Sequence, residues 1–417
     1  MQESPDSKVM RPLEDIRVLA VTVFLAGPFC SMNLARLGAE VIKVEVPGLG
    51  DPTRGNGPFA GPDGTHSAPQ SDSDIGTQFL KRTQGVKSVT LNLKHPRGRE
   101  MFLDLARDSD VVLENLAPGS MTRMGLGYKD VSAVKPGIVY CSISGYGQTG
   151  PYAGRRAHDP QVQGMSGIMD INGEPDGPPT RVGFYISDLV TPLFACYSIL
   201  AALRHRERTG EGQYLDASMM DTLAALMFME NLEEDIENGV PLRKGNFSRS
   251  GPTGLYHASD GDVTLTAASD DQWRRLCQAL DAQDLMEDPR FADHFGRISN
   301  IGVLREAIQQ IMGRMSREEA LDRMERHNVP CGPVRTVTEV LDDRHFWDRG
   351  TMLPLRHARL DEPVPGVAAG FPVTFSGGPL PELVGAPTLG MHNEEVYGGL
   401  LNLDRDDLER LRQEAVV

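Results

Sequence analysis

Short apolar runs alternate with helix-like segments through the first half of the chain, and this alternation restricts the possible folds more than any other feature. Residues 17–23, R-V-L-A-V-T-V, predict a buried strand, residues 26–30 a turn, and residues 31–39 a helix that ends at Gly38. The next strand is predicted at residues 40–45. Two strands joined by one helix form a βαβ unit, and the strands of such a unit lie parallel. The sequence therefore predicts an α/β fold with a parallel sheet.

The same alternation continues towards the middle of the chain. Further strands and one helix are predicted, the strands at residues 88–93, 110–116, 137–144 and 214–219, and the helix at residues 95–107. Residues 46–79 are rich in Gly, Pro, Ser and Asp, so they predict a long loop.

Near residue 238 the pattern changes to that of a smaller α+β domain, which is predicted to span residues 223–337. The elements predicted around it are a helix at residues 219–238, a hairpin at 254–269 that turns at Asp260-Gly261, helices at 271–280, 302–315 and 317–327, and a strand at 331–337. From residue 342 the chain is rich in Pro and Gly, and it finishes in a charged helix.

Net charge and cysteine usage exclude several classes of partner. The 417-residue chain carries a formal net charge of −16. Such a surface repels nucleic acids and anionic membranes, so neither is expected as a partner. The five cysteines are far apart and set in apolar surroundings, which indicates reduced thiols in a cytoplasmic protein. The first residues lack an apolar signal core, and the longest apolar run is expected to fall short of a membrane span.

The common cofactor and nucleophile motifs are absent or incomplete. Gly145, Gly147 and Gly150 match G-x-G-x-x-G, but Pro151 and a turn follow where a dinucleotide site needs a helix. The sequence contains no G-x-x-x-x-G-K-[ST], no G-x-S-x-G, no H-E-x-x-H and no close pair of cysteines. We therefore expect no metal and no permanently bound cofactor.

Asp188 is the candidate for chemistry. It begins a long apolar segment, D-L-V-T-P-L-F-A-C-Y-S-I-L-A-A-L, that predicts a buried helix. Aspartate is a favoured N-cap, so a purely structural role is one interpretation. In the other interpretation, the helix amides favour the anion, and the partly desolvated carboxylate serves as a nucleophile towards an activated acyl group. The residues alone leave both interpretations open.

Several stretches of the sequence carry a resemblance to a known family. They are P-L-E-D-I-R-V-L-A-V-T at residues 12–22 and the segments 25–54, 112–128, 144–152, 158–167, 177–189 and 200–221, with weaker matches at 271–273 and 331–334. Together they resemble the class III CoA-transferases, the family of formyl-CoA transferases, carnitine CoA-transferases and α-methylacyl-CoA racemases. The resemblance implies a Rossmann-like CoA-binding domain of residues 1–222 and 338–417, with the C-terminal segment returning to it. It also implies an interlocked homodimer.

The resemblance further implies roles for individual residues. Asp188 matches the catalytic aspartate, which attacks an acyl-CoA thioester and passes CoA, through an aspartyl anhydride and an aspartyl-CoA thioester, to a small carboxylic acid. Asp159 matches an acidic position beside it, and His158 an accessory position. Coenzyme A is then a substrate and not a resident cofactor. The residues that match CoA-contacting positions are Leu25, Ala26, Asn115, Leu116, Arg123, Arg156 and Met219.

The chain departs from the family pattern in three places. Leu25 stands where formyl-CoA transferases have a glutamine, which argues against oxalate and formate as substrates. K-R-T-Q-G-V-K-S-V at residues 81–89 replaces the usual N-x-N-K-R-S-V, so the family's contacts around Lys87 are not implied. S-R-S-G-P-T-G at residues 248–254 replaces a run of glycines that closes over the aspartate in formyl-CoA transferase.

Two other functions remain open on the sequence. In the racemases a histidine and an aspartate remove and return a proton at Cα, and His158 and Asp188 match that pair. The surroundings of both residues, at 158–167 and 177–183, are closer to those of the transferases. A non-catalytic CoA-binding relative is the third interpretation, and the presence of Asp188 argues against it.

Overall fold

The computed structural model describes residues 9–71, 73–248 and 251–417, so Arg249 and Ser250 of the segment that replaces the glycine run lie outside the described residues. The chain forms two compact units. The first contains residues 9–166, Gly183–Glu230 and Arg344–Val417, and the second contains Gly167–Val182 and Asn231–Asp343. The domain bounds inferred from the sequence remain a prediction.

The strands and helices of the described residues are numbered along the chain. The strands are β1 (Arg17–Val21), β2 (Glu40–Glu45), β3 (Phe59–Gly61), β4 (Gly64–His66), β5 (Ile75–Gly76), β6 (Val86–Thr90), β7 (Val111–Glu114), β8 (Val139–Ser144), β9 (Gln213–Ser218), β10 (Gly254–Ala258), β11 (Gly261–Leu265), β12 (Cys331–Pro333), β13 (Met352–Leu355) and β14 (Val364–Ala369). The helices are α1 (Ala26–Arg36), α2 (Thr77–Arg82), α3 (Pro96–Arg107), α4 (Ser120–Arg123), α5 (Tyr128–Val134), α6 (Asp159–Ser166), α7 (Ile168–Ile171), α8 (Ile186–Thr209), α9 (Met219–Met227), α10 (Leu232–Glu237), α11 (Asp270–Ala279), α12 (Gln283–Glu287), α13 (His294–Ser299), α14 (Ile301–Met312), α15 (Arg317–Arg326), α16 (Val337–Leu341), α17 (Arg344–Asp348), α18 (Asn393–Leu401) and α19 (Arg405–Gln413). Short 3₁₀ helices lie at Pro52–Gly55 and Pro289–Phe291.

Parallel strands form the central sheet of the first unit, in the order β6-β2-β1-β7-β8-β9. Counted along the chain, this is the order 3-2-1-4-5-6 of dinucleotide-binding folds. Val18 of β1 pairs with Val41 on one side and with Val111 on the other. Where the strand order reverses in this way, the loops after the two neighbouring strands separate and leave a crevice at their carboxyl ends. The predicted α/β fold with a parallel sheet is confirmed.

Helices cover both faces of this sheet because its strands are apolar on both faces. Leu19 and Val21 point to the same side of β1 and share a core with Phe102 of α3 and Tyr397 of α18. Val18, in the opposite phase, is fully buried on the other side. There α1 and α8 pack against each other and against the strands, so the beginnings of both helices are supported by the sheet.

The C-terminal part of the first unit closes the β6 edge of the sheet. The Tyr397 hydroxyl donates to the Thr90 carbonyl at 2.7 Å, and Asn393 Oδ1 accepts the Thr90 N–H at 2.9 Å. The N–H of Asn92 donates to the Val416 carbonyl at 2.7 Å. The edge strand is therefore satisfied by residues that come far later in the chain.

Two predictions for residues 26–79 are wrong. The region 46–79, predicted as one long loop, contains a small antiparallel sheet in the order β4-β3-β5, together with the beginning of α2. Its strands are only two or three residues long, yet Ile75 and Phe79 are buried in a core with Leu355. The turn predicted at residues 26–30 is the first turn of α1, because proline is tolerated at that position of a helix.

The apolar segment that follows Asp188 forms one helix of 24 residues, α8. By length and composition alone this helix could cross a membrane, and slightly less than half of its apolar stretch is buried. The expectation that no apolar run reaches the length of a membrane span is therefore wrong. Within the first unit α8 packs against α1, α6, α9, β8 and β9, which makes it a core helix of that unit.

The second unit has its own antiparallel sheet, β10-β11-β12, which shares a core with α11, α14 and α15. Tyr256 pairs with Val263 across the predicted hairpin, which turns between Ala258 and Gly261. The single helix predicted at residues 219–238 is instead two helices, α9 in the first unit and α10 in the second.

Candidate active site

Asp188 lies in the first turn of α8, as the third residue of the helix. The N-cap position is occupied by Tyr185, which makes no side-chain capping bond. Asp188 is therefore not an N-cap, and the structure does not support the purely structural interpretation of this aspartate. Pro192, one turn further on, has no N–H to donate to the Asp188 carbonyl, so the backbone of this turn lacks one helical bond.

A second carboxylate, Asp159, holds the start of α8 in place. Asp159 is the first residue of α6 and is only 1% exposed. Its Oδ1 accepts hydrogen bonds from the backbone N–H and from the hydroxyl of Ser187, both at 2.8 Å. Its Oδ2 accepts a bond from Gln163 Nε2 at 2.6 Å, and Gln163 also donates to the Phe184 carbonyl at 3.3 Å. Both oxygens of Asp159 are thus used to position the residues around Asp188.

Asp188 itself is partly buried, and its carboxylate has no hydrogen-bond partner among the described residues. The pKa of Asp188 is raised to about 6, first by burial and then by the negative charge of Asp159, while Arg82 acts to lower it. At neutral pH the group is ionised, yet neither water nor hydrogen bonds stabilise the anion fully. A carboxylate in this state is suited to act as a nucleophile.

Arg82 and Phe24 complete the surroundings of Asp188, and neither was predicted from the sequence. Arg82, the last residue of α2, donates from Nη1 to the Phe24 carbonyl at 3.3 Å. Phe24 has a φ of 64°, a left-handed conformation that is strained for a bulky residue and is often found at functional sites. The signal for Arg82 in the sequence was the departure from the family pattern at residues 81–89.

His158 lies at the edge of the same site, where its ring contacts the ring of Phe24. The two rings meet edge-on, with their centroids 6.0 Å apart. The backbone N–H of His158 donates to Gln161 Oε1 at 3.2 Å, and its carbonyl accepts the N–H groups of Gln161 and Val162 at the start of α6. The side chain is exposed, and among the described residues it forms no hydrogen bond with Asp188.

The turn between β1 and α1 is held by Asn115, which directly follows β7. Asn115 Oδ1 accepts the Val23 N–H at 2.8 Å, and its Nδ2 donates to the Val23 carbonyl at 3.0 Å. We call this pair of hydrogen bonds the Asn115 clamp. Glycine is needed at position 27 beside it, because a Cβ there would lie 2.7 Å from Asn115 Oδ1. Leu25 and Ala26 are buried where the turn enters α1. The amide of Asn115 therefore shapes the turn from which these two residues project.

Buried ion pairs fix the loop that faces this turn. Lys43 Nζ pairs with Asp51 Oδ2 at 2.9 Å, and both side chains are almost fully buried. Asp51 Oδ1 also accepts the Phe24 N–H at 3.3 Å, which ties the loop to the strained residue. Burial alone would raise the pKa of Glu45, but the hydrogen bond from Arg54 and the charge of Lys43 hold it below its ordinary value.

A cavity of about 500 Å³ opens at the carboxyl ends of β1, β2 and β7, where the strand order reverses. This volume lies within the range of small-molecule sites. Its lining residues are Val21, Thr22, Val23, Val44, Glu45, Val46, Gly50, Asp51, Leu91, Asn92, Leu93, Lys94, Leu116, Ala117, Ser120, Arg123 and Met124. The lining is largely apolar, and Lys94 and Arg123 contribute its positive charge. Arg123 Nη2 donates to Ser120 Oγ at 3.0 Å, which orients the guanidinium.

The structure brings some of the predicted CoA-contacting residues together and leaves others apart. Leu116 and Arg123 line the cavity. Met219 is buried at the start of α9, and Arg156 is exposed between β8 and α6. Neither of these two residues lines the cavity.

Side chains suited to metal binding are dispersed in the part of the chain that the structure describes. Across residues 9–71, 73–248 and 251–417, no group of three or more His, Cys, Asp or Glu side chains is arranged to hold a metal ion. The cysteines are free thiols, and all but Cys331 are buried.

Comparisons with known proteins agree on one family. Residues 13–393 match the model of CoA-transferase family III. The chain is 34% identical over 419 residues to succinyl-CoA:glutarate CoA-transferase of Mus musculus, covering 99% of this chain and 92% of that protein. It is 36% identical over 412 residues to succinyl-CoA–D-citramalate CoA-transferase of Chloroflexus aurantiacus, covering 98% of each chain. The crystal structure of a CAIB/BAIF family protein from Brucella suis matches with a TM-score of 0.80 at 32% identity, covering 94% of this chain and 100% of the other.

Proposed function

This chain belongs to CoA-transferase family III and is a CoA-transferase, and from that membership we propose that it moves CoA from an acyl-CoA thioester to a free carboxylic acid through a covalent intermediate on Asp188. The observation that carries the proposal is the carboxylate of Asp188. It is partly buried, has no hydrogen-bond partner among the described residues, and has a pKa raised to about 6. An anion that is poorly stabilised before reaction is the more reactive towards a thioester carbonyl.

The first half of the reaction loads the enzyme with CoA. An oxygen of Asp188 attacks the thioester carbonyl of the donor, the carbon–sulfur bond breaks, and a mixed anhydride and a CoA thiolate result. The thiolate then attacks the Asp188 carbonyl carbon of the anhydride. The bond between that carbon and the bridging oxygen breaks, the oxygen leaves as part of the free carboxylate of the donor, and Asp188 is left as an aspartyl-CoA thioester.

The second half runs in reverse with the acceptor. The acceptor carboxylate attacks the aspartyl thioester, which releases the CoA thiolate and forms a second anhydride. The thiolate attacks the acyl carbon of the acceptor, the new acyl-CoA forms, and Asp188 returns as a carboxylate. No proton needs to be transferred in any step. The activation of the thioester is kept throughout, provided that water does not reach the anhydride.

Asp159 and His158 are proposed as accessory residues. Asp159 accepts both hydrogen bonds of Ser187, so it fixes the direction in which the next residue, Asp188, presents its carboxylate. His158 packs on Phe24 at the edge of the site. In a transferase it contacts or orients the substrate without exchanging a proton with it.

We assign the CoA to the cavity at the carboxyl ends of β1, β2 and β7. Arg123 and Lys94 provide the positive charge that CoA phosphates need, and guanidinium groups bind phosphate well. Leu116 belongs to the same lining. Asn115 acts through the turn that it clamps, because its amide is already bonded to Val23. CoA contacts of Leu25, Ala26, Arg156 and Met219 remain proposals from the family resemblance.

The names of the relatives support a dicarboxylic acid as the acceptor. The two relatives described above act, by their names, on succinyl-CoA together with glutarate or D-citramalate. We therefore assign this chain a dicarboxylic acid of similar length, with an acyl-CoA of the succinyl type as donor. The leucine at position 25, where formyl-CoA transferases have a glutamine, argues in the same direction, away from formate and oxalate.

A homodimer, interlocked as in the family, is part of the proposal. On α8, Leu193 and Tyr197 are one turn apart and 48% and 54% exposed. Phe228 and Met229, just beyond α9, are 61% and 82% exposed. A second copy of the chain would cover such apolar side chains. We place this dimer in the cytoplasm, without a membrane or nucleic-acid partner. Light scattering coupled to size-exclusion chromatography tests this, and a monomer at micromolar concentration would contradict it.

Trapping the enzyme with its donor tests the covalent step. Wild-type protein mixed with succinyl-CoA and no acceptor, then treated with hydroxylamine, should lose activity and carry a hydroxamate on Asp188, as read by peptide mass spectrometry. Asp188→Asn should form no adduct and no exchanged product. Asp221→Asn is the matched control, because Asp221 is also the third residue of its helix, α9, but is exposed. An unlabelled Asp188 in an enzyme that exchanges CoA would contradict the mechanism.

A further inference from the structure

Arg82 is a partly buried cation that no carboxylate of the described residues neutralises through an ion pair. Within the described ranges its guanidinium makes one hydrogen bond, from Nη1 to the Phe24 carbonyl at 3.3 Å. The neighbouring cations Lys43 and Arg54 are each paired with a carboxylate, at 2.9 Å and 2.7 Å. Because an unpaired charge is costly inside a protein, a site of this kind is ready to receive an anion.

Arg82 belongs to the group of residues that surrounds Asp188. The guanidinium donates to the carbonyl of Phe24, and the Phe24 ring lies against His158, the residue directly before α6. Burial lowers the pKa of Arg82, and the carboxylates of Asp188 and Asp51 act in the opposite direction. Tyr185 is the N-cap of α8, and Phe24 directly precedes the N-cap of α1. The guanidinium therefore lies at the start of α1, and α1 packs against α8, the helix that carries Asp188.

We propose that Arg82 binds the second carboxylate of a dicarboxylic acid while the first carboxylate reacts at Asp188. Arg82 thereby makes the enzyme prefer dicarboxylic acids over monocarboxylic acids. This inference rests on the proposed function, since it concerns the acid that reacts at Asp188. The N–H groups of Arg82 that do not donate to Phe24 can form two parallel hydrogen bonds with a carboxylate.

The charges around the site give a reason for such a residue. Asp188 and Asp159 make the site negative, and a free dicarboxylate brings two more negative charges. Without a cation, the repulsion would favour acids with a single charge. Arg82 reverses this preference, and its planar guanidinium adds a requirement for the position of the second carboxylate.

The experiment compares glutarate with its monomethyl ester, which has the same chain but a single carboxylate. The enzyme is tested as wild type, Arg82→Gln and Arg82→Lys. The matched control is Arg107→Gln, because Arg107 is also the last residue of its helix, α3, but is exposed. We expect Arg82→Gln to lower kcat/KM for glutarate by about ten- to a hundredfold, the effect of a lost charge-assisted hydrogen bond, and to leave the ester within about threefold. Arg82→Lys should fall between, and Arg107→Gln should match the wild type.

Two further measurements separate this inference from the proposed function. Labelling of Asp188 by butyryl-CoA, whose acyl chain is uncharged, should survive in Arg82→Gln. The thermal unfolding temperature of the wild type should rise more with added glutarate than with added ester. This difference should vanish in Arg82→Gln. If the wild type neither labels nor transfers CoA, the proposed function fails, and the thermal shift still tests Arg82. If Arg82→Gln loses activity equally with both acids, or keeps the preference for glutarate, the role of Arg82 is wrong.

Discussion

The carboxylate of Asp159 accepts both the backbone N–H and the hydroxyl of Ser187, each at 2.8 Å. The N–H of Ser187 belongs to the first turn of α8, where no helical carbonyl can accept it. Asp159 therefore supplies from α6 the cap that Tyr185, the N-cap residue of α8, does not provide. Burial is the larger cause of the raised pKa of Asp188, and the charge of Asp159 adds to it, so one acid both positions the other and helps to activate it.

Replacing Asp159 should separate these two effects. Asp159→Asn keeps an oxygen for Ser187 and removes the charge, so the acid limb of the kcat/KM profile should move to lower pH. Asp159→Ala also removes the acceptor, so kcat should fall by a further one to two orders of magnitude, roughly the effect of a displaced reacting group. The amide of Gln163 must rotate in Asp159→Asn, and Gln163→Ala is the control for that change. Identical pH profiles of the wild type and Asp159→Asn would show that the charge of Asp159 does not affect the pKa of Asp188.

The activity of the wild type should fall with acidity in a defined range. Because the nucleophile is the ionised form of Asp188 and its pKa is about 6, kcat/KM should be constant above pH 7. It should drop about tenfold per pH unit below pH 6. Steady-state rates between pH 5 and 8, corrected for the protonation of the acceptor acid itself, measure this. A profile that is flat down to pH 5 would contradict the raised pKa.

Removing the charge of Asp188 should stabilise the protein at neutral pH. The folded-state pKa of about 6 lies above the ordinary value of 3.8, so the contribution of this carboxyl to stability is fully present below pH 3.8 and is lost as pH rises through 6. Asp188→Asn should therefore exceed the wild type in free energy of unfolding at pH 7.5, by on the order of 1–3 kcal/mol, and match it near pH 4.

Urea denaturation at the two pH values measures this difference. The exposed Asp221→Asn should stay within about 0.5 kcal/mol of the wild type at both. A lower free energy of unfolding for Asp188→Asn than for the wild type at pH 7.5 would contradict this prediction. It would show that the folded protein stabilises the Asp188 carboxylate.

The central sheet and Asp188 could be predicted from the sequence because each leaves a local signal. The strands are continuous apolar runs separated by helical periodicity, and Asp188 is a charge at the start of an apolar segment. The strands within 46–79 are too short to leave such a signal, and the buried neighbour Leu355 lies far away in the chain. The segment that contains Arg82 departs from the family pattern, but a role for Arg82 could not be predicted, because it depends on Phe24, which only the fold brings near.

The clamp made by Asn115 should matter for stability and for CoA binding. Asn115→Ala removes both bonds to Val23 and leaves its backbone groups unpaired, so we expect a loss of about 1–3 kcal/mol in the free energy of unfolding. Because the turn shapes the site, KM for the acyl-CoA should rise as well. Asn56→Ala is the control, since Asn56 is exposed and its side-chain bond is long, at 3.4 Å. Unchanged stability and an unchanged KM in Asn115→Ala would show that the Asn115 clamp contributes neither to folding nor to binding.

His158 distinguishes the transferase from the racemase. A racemase must exchange the Cα proton, whereas the transferase needs no chemistry at that carbon. We expect a 2-methylacyl-CoA in heavy water to gain no deuterium at Cα at a rate comparable to CoA exchange. His158→Gln should retain transfer within roughly one to two orders of magnitude of the wild type. Rapid deuterium uptake that disappears in His158→Gln, without exchange between free acids, would instead favour the racemase.

The closure of the β6 edge by the C-terminal segment has a consequence for biosynthesis. The bond from Tyr397 to Thr90 joins residues 307 positions apart, so the edge stays open while everything between them is translated. The second unit, whose residues end at Asp343, is fully synthesised before Asn393 has left the ribosome. A nascent chain at that stage carries a complete second unit and an unfinished parallel sheet, with the edge groups of β6 accessible to other chains or to chaperones. The part of the protein that is made first is thus the part that is completed last.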